Sequence, residues 1–222
     1  MARNYISTYT LNNIFHLMEN GSLVVPIFQR GYVWKKEAVK KLFESINSGY
    51  PIGMLIAVED DAEHFESAPS ELTLFPETHH DNFVSSRRLW ILDGSQRLAA
   101  LYNVLFGYRD YFILLYNLKQ KEFLFPEEAK EKSKLLNMSS LFKVNEFMQL
   151  QAEIAKLDDS EALLEELYSI HNRFKEYQVP ILIATDVTDD DIVKIFTALN
   201  TSGMSLRKDE LEQALKYKKS DN

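Results

Sequence analysis

The sequence predicts an α+β protein in which a mixed sheet is flanked by helices, with a helical C-terminal portion. Three observations predict this class. Apolar runs of strand character alternate with helical patterns in the first half of the chain. Two strand-like runs, "DYFILLYN" and "KEFLF", are separated only by "LKQ", which is typical of a hairpin. Residues 145–177 instead follow a helical period.

Helices and strands alternate in the N-terminal half. Two segments carry apolar residues at helical spacing, namely Leu11, Ile14, Phe15 and Met18, and then Val39, Leu42, Phe43 and Ile46. Gly21 and Gly49 suit the ends of these helices. "MLIAVE" and "RRLWILD" predict buried strands. Residues 60–86 lack a sustained period and contain two prolines, so they predict a long loop or an excursion from the core.

The C-terminal half contains a helical stripe, a strand and closing helices. The stripe consists of Leu163, Leu164, Leu167, Ile170 and Phe174. "YQVPILIATD" predicts a strand, and Pro180 favours a late start or an edge position for it. In "TDDDIVKIFTALN", Thr188 and Asp191 match a capping box. A last helix is predicted in "SLRKDELEQALKYKK". We assign 1–125, with the excursion at 60–86, to the core and 126–222 to the same domain.

Composition limits the functions that the chain can have. Its 222 residues are 45% hydrophobic, which is enough for a sizeable core. The formal net charge of −8 opposes nucleic acid binding unless a local basic patch provides it. The chain has no cysteine, which excludes disulfides, thiol nucleophiles and thiolate metal sites. We find no targeting segment or membrane span and expect a cytoplasmic protein.

The first polar cluster is in "PIFQRGYVW". Arg30 can bind a phosphate while Tyr32 or Trp34 stacks on a base, and Gln29 adds an amide. The same residues also fit a structural loop in which Arg30 pairs with a core carboxylate and the aromatic side chains pack.

The second cluster is "DGSQR", between a strand and a helix. Gly94 permits close backbone approach, and the first amides of the helix can receive an anion. Gln96 and Arg97 add donors, and Asp93 is suited to hold Mg²⁺ or polarise a water molecule. A capped helix in which Arg97 neutralises Asp93 explains the same residues. The lysine and glycine pattern of a Walker loop is absent.

The third cluster is "LNTSGMSL", where Asn200, Ser202 and Gly203 can present amides and hydroxyls to a ligand. A helix stop at Gly203 and an N-cap at Ser205 explain much of this cluster, and for the cluster alone the structural interpretation is favoured.

His79, His80 and Asp81, together with His64, could suggest a metal site. Their spacing fits no standard ligand set, and we interpret the segment as a solvated loop.

Taken together, the three clusters carry a family resemblance. "VPIFQRGYVW", "ILDGSQRLAALYNVL" and "IFTALNTSGMSLRKDEL", in this order, resemble the N-terminal domain family of GmrSD-type modification-dependent restriction enzymes. The resemblance covers about residues 10–215. It implies a fold similar to ParB and sulfiredoxin and a regulatory domain that binds, and often hydrolyses, a nucleotide.

The resemblance also implies roles for individual residues. Asp93 and Arg97 are the expected catalytic residues, and Asp93 is the expected Mg²⁺ ligand beside a nucleoside triphosphate. The expected nucleotide-binding residues are Gln29, Arg30, Tyr32, Trp34, Gly94, Ser95, Gln96, Asn200, Ser202 and Gly203. Ser95 departs from the glutamine that the family more often has there.

The resemblance implies a place in bacterial defence against phage, coupled to a His-Asn-His type nuclease as domain or subunit. No nuclease segment follows in this sequence, so we expect no DNA cleavage by this chain alone. The alternative function is a non-enzymatic module that recognises nucleic acid, including modified DNA. A homo-oligomer is compatible with either function, and neither involves a membrane.

Overall fold

The computed structural model of the chain describes residues 2–61, 64–77, 86–107, 112–129 and 134–200. Within these residues the chain forms two compact units. The first contains 2–33, 53–96 and 178–200, and the second contains 34–52 and 97–177.

Strands and helices alternate along most of the chain. The strands are β1 (Arg3–Thr10), β2 (Leu23–Val24), β3 (Leu55–Asp61), β4 (Arg87–Asp93), β5 (Leu115–Asn117), β6 (Glu122–Leu124), β7 (Leu135–Asn137) and β8 (Gln178–Thr185). The α-helices are α1 (Leu11–Glu19), α2 (Lys36–Asn47), α3 (Ser70–Thr73), α4 (Ser95–Phe106), α5 (Val144–Ile154), α6 (Ser160–Glu176) and α7 (Asp189–Asn200). A 3-10 helix covers Met138–Leu141.

The first unit contains a five-stranded sheet in the order β1-β8-β3-β4-β2. The β1–β8 and β3–β4 pairs are antiparallel, whereas β3–β8 and β2–β4 are parallel. This mixed sheet confirms the predicted α+β class. The predicted likeness to ParB and sulfiredoxin stays a prediction.

The helices of the first unit follow the predicted patterns. In α1 the four predicted apolar residues are buried, and Gly21 follows the helix with a φ of 73°. At the start of α7, Thr188 Oγ1 accepts from the Asp191 amide, while Asp191 Oδ2 accepts from the Thr188 amide. These reciprocal bonds are the predicted capping box.

Pro180 does not place its strand at an edge, so that prediction was wrong. β8 begins at Gln178 and lies between β1 and β3. Its pairing with β3 starts only at Ile181, opposite Leu55. At Pro180 the strand is therefore paired only with β1. Proline has no N–H to donate to a neighbouring strand, and here, as at the edge of a sheet, one side needs no donor.

The predicted excursion at 60–86 is only partly a loop. β3 extends to Asp61, and residues 70–73 form α3. Phe65 belongs to the core cluster of the sheet, and its ring lies 5.4 Å from that of Phe28 and 5.2 Å from that of Trp90. The ring nitrogens of His64 lie 3.5 Å from a carboxylate oxygen of Asp60 and 3.1 Å from one of Asp189 in α7. Residues 64–77 therefore pack on the sheet, and the expectation of a solvated segment was wrong for this part. Residues 79–81 lie outside the described residues.

The second unit contains its own antiparallel sheet in the order β6-β5-β7. The predicted hairpin is confirmed as β5 and β6, but it belongs to this smaller sheet and not to the mixed five-stranded sheet of the first unit.

A buried carboxylate of the second unit contacts this smaller sheet. Glu166 of α6 is 3% exposed, accepts from the Tyr116 hydroxyl at 2.8 Å and ion-pairs with Lys121 at 2.5 Å.

A search of the described helices for one both long enough and apolar enough to cross a bilayer found none.

Candidate functional site

The turn between β4 and α4 has the shape that its sequence predicts. β4 ends at the exposed Asp93, α4 begins at the buried Ser95, and Gly94 alone joins them. Gly94 has a φ of 100°, which side chains other than glycine rarely adopt. A helix that begins directly after a strand presents its first amides at the carboxyl end of that strand, where they can bind an anion.

Gln29 ties the first cluster to the end of β4. Its Nε2 donates to the carbonyl oxygen of Leu92 at 2.8 Å and to that of Ile91 at 3.3 Å. The sequence predicts Gln29 as a nucleotide ligand, and the structure gives its amide nitrogen two backbone partners. Motifs that are about 60 residues apart in sequence are thus adjacent in space.

Gln96 ties the same loop to the start of α4. Its Oε1 accepts from the Val33 amide at 2.8 Å, and its Nε2 donates to the Gly31 carbonyl at 3.3 Å. One side-chain amide thus satisfies an N–H and a C=O of the loop, as a neighbouring strand would. Gln29 and Gln96 together hold residues 29–33 on the turn that follows β4.

Arg30 and Asp93 are exposed charged residues on the loop and the turn that the two glutamines connect. Arg30 lies between the tethered residues Gln29 and Gly31, its side chain is exposed, and among the described residues it forms no ion pair. Asp93 is also exposed. The two glutamines therefore hold the backbone of the loop that carries Arg30 beside the turn that carries Asp93.

Helix α3 supports the loop. The Tyr32 amide donates to the Leu72 carbonyl at 2.7 Å. A Cβ added at Gly31 would lie 3.1 Å from the same oxygen, which is closer than most Cβ contacts. Tyr32 itself is half-buried. This support is not predicted from the sequence, because Leu72 lies in the part interpreted as an excursion. The apolar residues Leu72, Leu74 and Phe75 were the available signal.

All three motifs contribute to one core cluster in the first unit. Phe28 comes from the first motif, Leu92 from the second and Phe196 from the third. The rings of Phe28 and Phe196 are 5.4 Å apart in an edge-to-face arrangement. The three motifs that carry the family resemblance therefore pack together in one core cluster of the first unit.

The third motif is described only at its start. α7 ends at Asn200. The side chain of Asn200, together with Ser202 and Gly203, lies outside the described residues, so their predicted role in nucleotide binding stays a prediction.

Arg97 and Trp34 belong to the second unit. Arg97 Nη1 donates to the Ile52 carbonyl at 2.7 Å, and the Ile52 amide donates to the Tyr177 hydroxyl at 3.0 Å. Burial raises the pKa of Tyr177, and the hydrogen bond from Ile52 and the charge of Arg97 oppose the rise. Trp34 lines a small apolar cavity with Phe125 and Lys36 of the same unit. The catalytic role of Arg97 and the base contact of Trp34 stay predictions.

Asp93 is the single predicted metal ligand. Across the described ranges, no three acidic or histidine side chains are grouped so that they could hold a metal ion. A single carboxylate nevertheless fits Mg²⁺ bound to a nucleotide, because phosphate oxygens and water supply the remaining ligands there.

The geometry defines a class of protein: a mixed-sheet α+β chain in which a Gln-Arg loop is bound to an Asp-Gly turn at the start of a helix. The comparisons specify the class further. The family model described as "GmrSD restriction endonuclease, N-terminal domain" matches residues 11–215. The chain therefore belongs to this family, which confirms the resemblance and associates the chain with restriction systems.

A relative with a longer chain was also found. Uncharacterized protein MJ0686 of Methanocaldococcus jannaschii is 23% identical over 229 residues, which cover 89% of this chain and 40% of that protein. The chain thus spans less than half the length of this relative.

Proposed function

We propose that the chain is a nucleotide-binding and nucleotide-hydrolysing regulatory domain of a restriction system, which controls a nuclease. The observation that carries the proposal is the attachment of the Gln29–Val33 loop to the Asp93–Gln96 turn by two glutamine side chains. This attachment brings an exposed arginine, an exposed carboxylate and the start of a helix into one assembly.

The phosphates bind to the first unit in this proposal. The Arg30 guanidinium donates to phosphate oxygens, and the amides of Gly94 and Ser95 donate from the start of α4. Gln29 and Gln96 act mainly by fixing the loop, since their amide nitrogens already donate to backbone carbonyls. Tyr32, whose backbone is fixed by Leu72, contacts the sugar or base.

Hydrolysis of the bound nucleotide also requires a role for the Asp93 carboxylate. When Mg²⁺ is bound with the nucleotide, it neutralises phosphate charge. The Asp93 carboxylate orients the attacking water in line with the terminal phosphorus and accepts a hydrogen bond from it. The water oxygen forms a bond to the terminal phosphorus as the bond between that phosphorus and the bridging oxygen breaks. The water proton passes to the Asp93 carboxylate and then to the released phosphate, giving a nucleoside diphosphate and inorganic phosphate.

The nuclease is proposed from the family. The matched family is described as the N-terminal domain of a restriction endonuclease, and MJ0686 extends well beyond the matched part. Both findings support a nuclease in another domain or subunit. We propose, from the family resemblance, that this nuclease is of the His-Asn-His type and acts on modified DNA. Nucleotide binding at the first unit is the step that this domain contributes.

Titration calorimetry with ATP, GTP and CTP, with and without Mg²⁺, tests the proposal alongside a phosphate-release assay. We expect one triphosphate to bind in a Mg²⁺-dependent manner. Asp93→Asn is expected to lower phosphate release about 100-fold or more, as removal of a general base that positions the attacking water does in other enzymes. Glu59→Gln, which changes another carboxylate of the same unit beyond the loop and turn, is the matched control.

A well-folded sample that binds none of the three triphosphates would contradict the proposal. Binding to DNA that weakens steeply with salt, without triphosphate binding, would instead support the nucleic acid recognition module, because such binding is dominated by phosphate contacts and counterion release.

A further inference from the structure

Strand β1 is the outermost strand of the five-stranded sheet among the described residues. It has eight residues and pairs with β8 along its whole length without a register shift. The strand at the opposite end of this sheet, β2, has two residues, and the outer strands β6 and β7 of the smaller sheet have three each. Short outer strands resist edge-to-edge pairing. Within the described sheets, β1 is therefore the edge that is long enough to accept another strand.

β1 also lacks the features that usually protect an edge strand. Its sequence, RNYISTYT, contains no proline, lysine or acidic residue, and its ladder with β8 contains no bulge. Arg3 is its one charged residue and lies 3.6 Å from a carboxylate oxygen of Asp186. Tyr5 is 47% exposed and Ile6 is 62% exposed, although successive side chains point to opposite faces of a sheet. The strand is thus open on both faces and carries little charge, in a chain whose net charge is −8.

Pro180 determines which backbone groups of β1 face outward. In an antiparallel ladder, pairs of residues that exchange hydrogen bonds alternate with pairs that do not. Thr8 lies opposite Pro180, which has no N–H, so this pair cannot exchange both bonds. The N–H and C=O groups of Asn4, Ile6 and Thr8 therefore point away from β8, whereas those of the residues between them point towards it.

We propose that β1 pairs antiparallel with β1 of a second copy of this chain, about a two-fold axis at Ile6. The pairing must place outward-facing residues opposite each other. Among the registers that do so, the one with Ile6 opposite its own copy gives the longest overlap, which covers residues 2–10. The same strand serves both copies, as a two-fold interface requires, and the two five-stranded sheets join into one.

The side chains in this register are compatible with self-pairing. Asn4 lies opposite Thr8 of the second copy, and their backbone groups exchange hydrogen bonds. Arg3 lies opposite Tyr9 of the second copy, so like charges do not meet along the strands. The two Ile6 side chains, which are largely exposed in the single chain, bury apolar surface against each other at the axis. The pairing uses none of the residues proposed to bind nucleotide, so this inference is independent of that function.

Sedimentation velocity of the chain at increasing concentration measures the self-association. We expect a reversible monomer–dimer equilibrium, because an interface of micromolar affinity is well populated at about 100 µM chain. Ile6→Lys places like charges at the axis and is expected to weaken the dimer about tenfold or more. Ile27→Lys is the matched control, since Ile27 is 45% exposed in the same unit but lies outside β1, and it should leave the dimer unchanged.

A charge swap tests the position of the axis. Ile6→Glu alone should weaken the dimer as Ile6→Lys does. An equimolar mixture of the two variants should associate to within about threefold of the unchanged chain, because opposite charges then meet.

Hydrogen exchange provides a second measurement on the unchanged chain. The Ile6 amide is expected to exchange about tenfold more slowly as the dimer forms, because it then donates to the second copy. The exchange of the Ser7 amide should not change with concentration, because this amide already points towards β8.

A chain that stays monomeric at about 100 µM would overturn the proposal, and a strand of another protein would then be the occupant that this edge fits. A dimer that Ile6→Lys does not weaken, or in which the Ile6 amide is not protected, would also overturn it, because the interface would lie elsewhere. Failure of the mixed variants to associate would contradict the axis at Ile6. None of these results affects triphosphate binding, so the two proposals fail separately.

Discussion

Replacing Gln96 with alanine tests how the first motif is held on the turn after β4. The substitution removes the acceptor for the Val33 amide and the donor for the Gly31 carbonyl. Gln29 still anchors the other end of the loop to Leu92. We therefore expect the loop to open locally while the sheet beneath it stays folded.

The magnitude follows from the two lost hydrogen bonds. The bond from the Val33 amide is exposed and the bond to the Gly31 carbonyl is partly buried. At about 1 kcal/mol net for each bond, the closed loop loses about 2 kcal/mol. At about 1.4 kcal/mol per factor of ten, the open population rises about 30-fold. The amide of Val33 should exchange with deuterium faster by the same factor, because its acceptor is the lost Oε1.

Hydrogen exchange measured by NMR resolves this effect at a single amide. Gln149→Ala, which changes an exposed glutamine in α5, is the matched control and should leave the exchange of Val33 unchanged. If Gln96→Ala also leaves the exchange of Val33 unchanged, Gln96 does not hold the loop, and the structural basis of the proposed site is wrong.

Three further predictions concern the fold. Gly94→Ala should lower the free energy of unfolding by about 1–3 kcal/mol in urea titrations, because the φ of 100° is strained for alanine. Glu166→Ala should cost about 3 kcal/mol in the same assay, since it leaves the buried Tyr116 hydroxyl without its acceptor, whereas Tyr116→Phe should cost about 1 kcal/mol. Equal costs for the two would contradict this assignment. Burial, and then the charge of Lys175, lowers the pKa of His171 below its usual value of 6.5. The unfolded chain thus binds this proton first, so stability should fall as the pH drops below about 6.5, and His171→Phe should flatten that slope.

The local elements could be predicted from the sequence because their signals are local. The apolar stripe of α1 and the capping box of Thr188 and Asp191 each involve residues within one short segment of the chain. Both are confirmed. The predicted strand, glycine and helix around Gly94 are likewise confirmed. They could be predicted because a one-residue turn between a strand and a helix favours glycine.

The tertiary contacts between these elements could not be predicted from the sequence. Pro180 predicts a late start or an edge position for its strand, and neither is found, since β8 begins at Gln178 and lies inside the sheet. The late start of its pairing with β3, at Ile181, depends on a distant part of the chain and could not be read from the local sequence. The partners of Gln29 and Gln96 are more than 60 residues away in sequence, so nothing local distinguishes a glutamine that binds backbone from one that binds a ligand. The packing of 64–77 depends on Phe65 meeting Phe28 and Trp90.

The most direct test of the central claim is the affinity of the chain for nucleoside triphosphate with Mg²⁺, compared between the unchanged chain and Arg30→Ala. Arg3→Ala, which removes another exposed arginine of the first unit, is the control for net charge. We predict that Arg30→Ala weakens binding about tenfold or more, the usual loss for a charge-assisted phosphate contact, and that Arg3→Ala does not. Equal affinity in all three proteins would contradict the assignment of the phosphate site to the Gln29–Val33 loop.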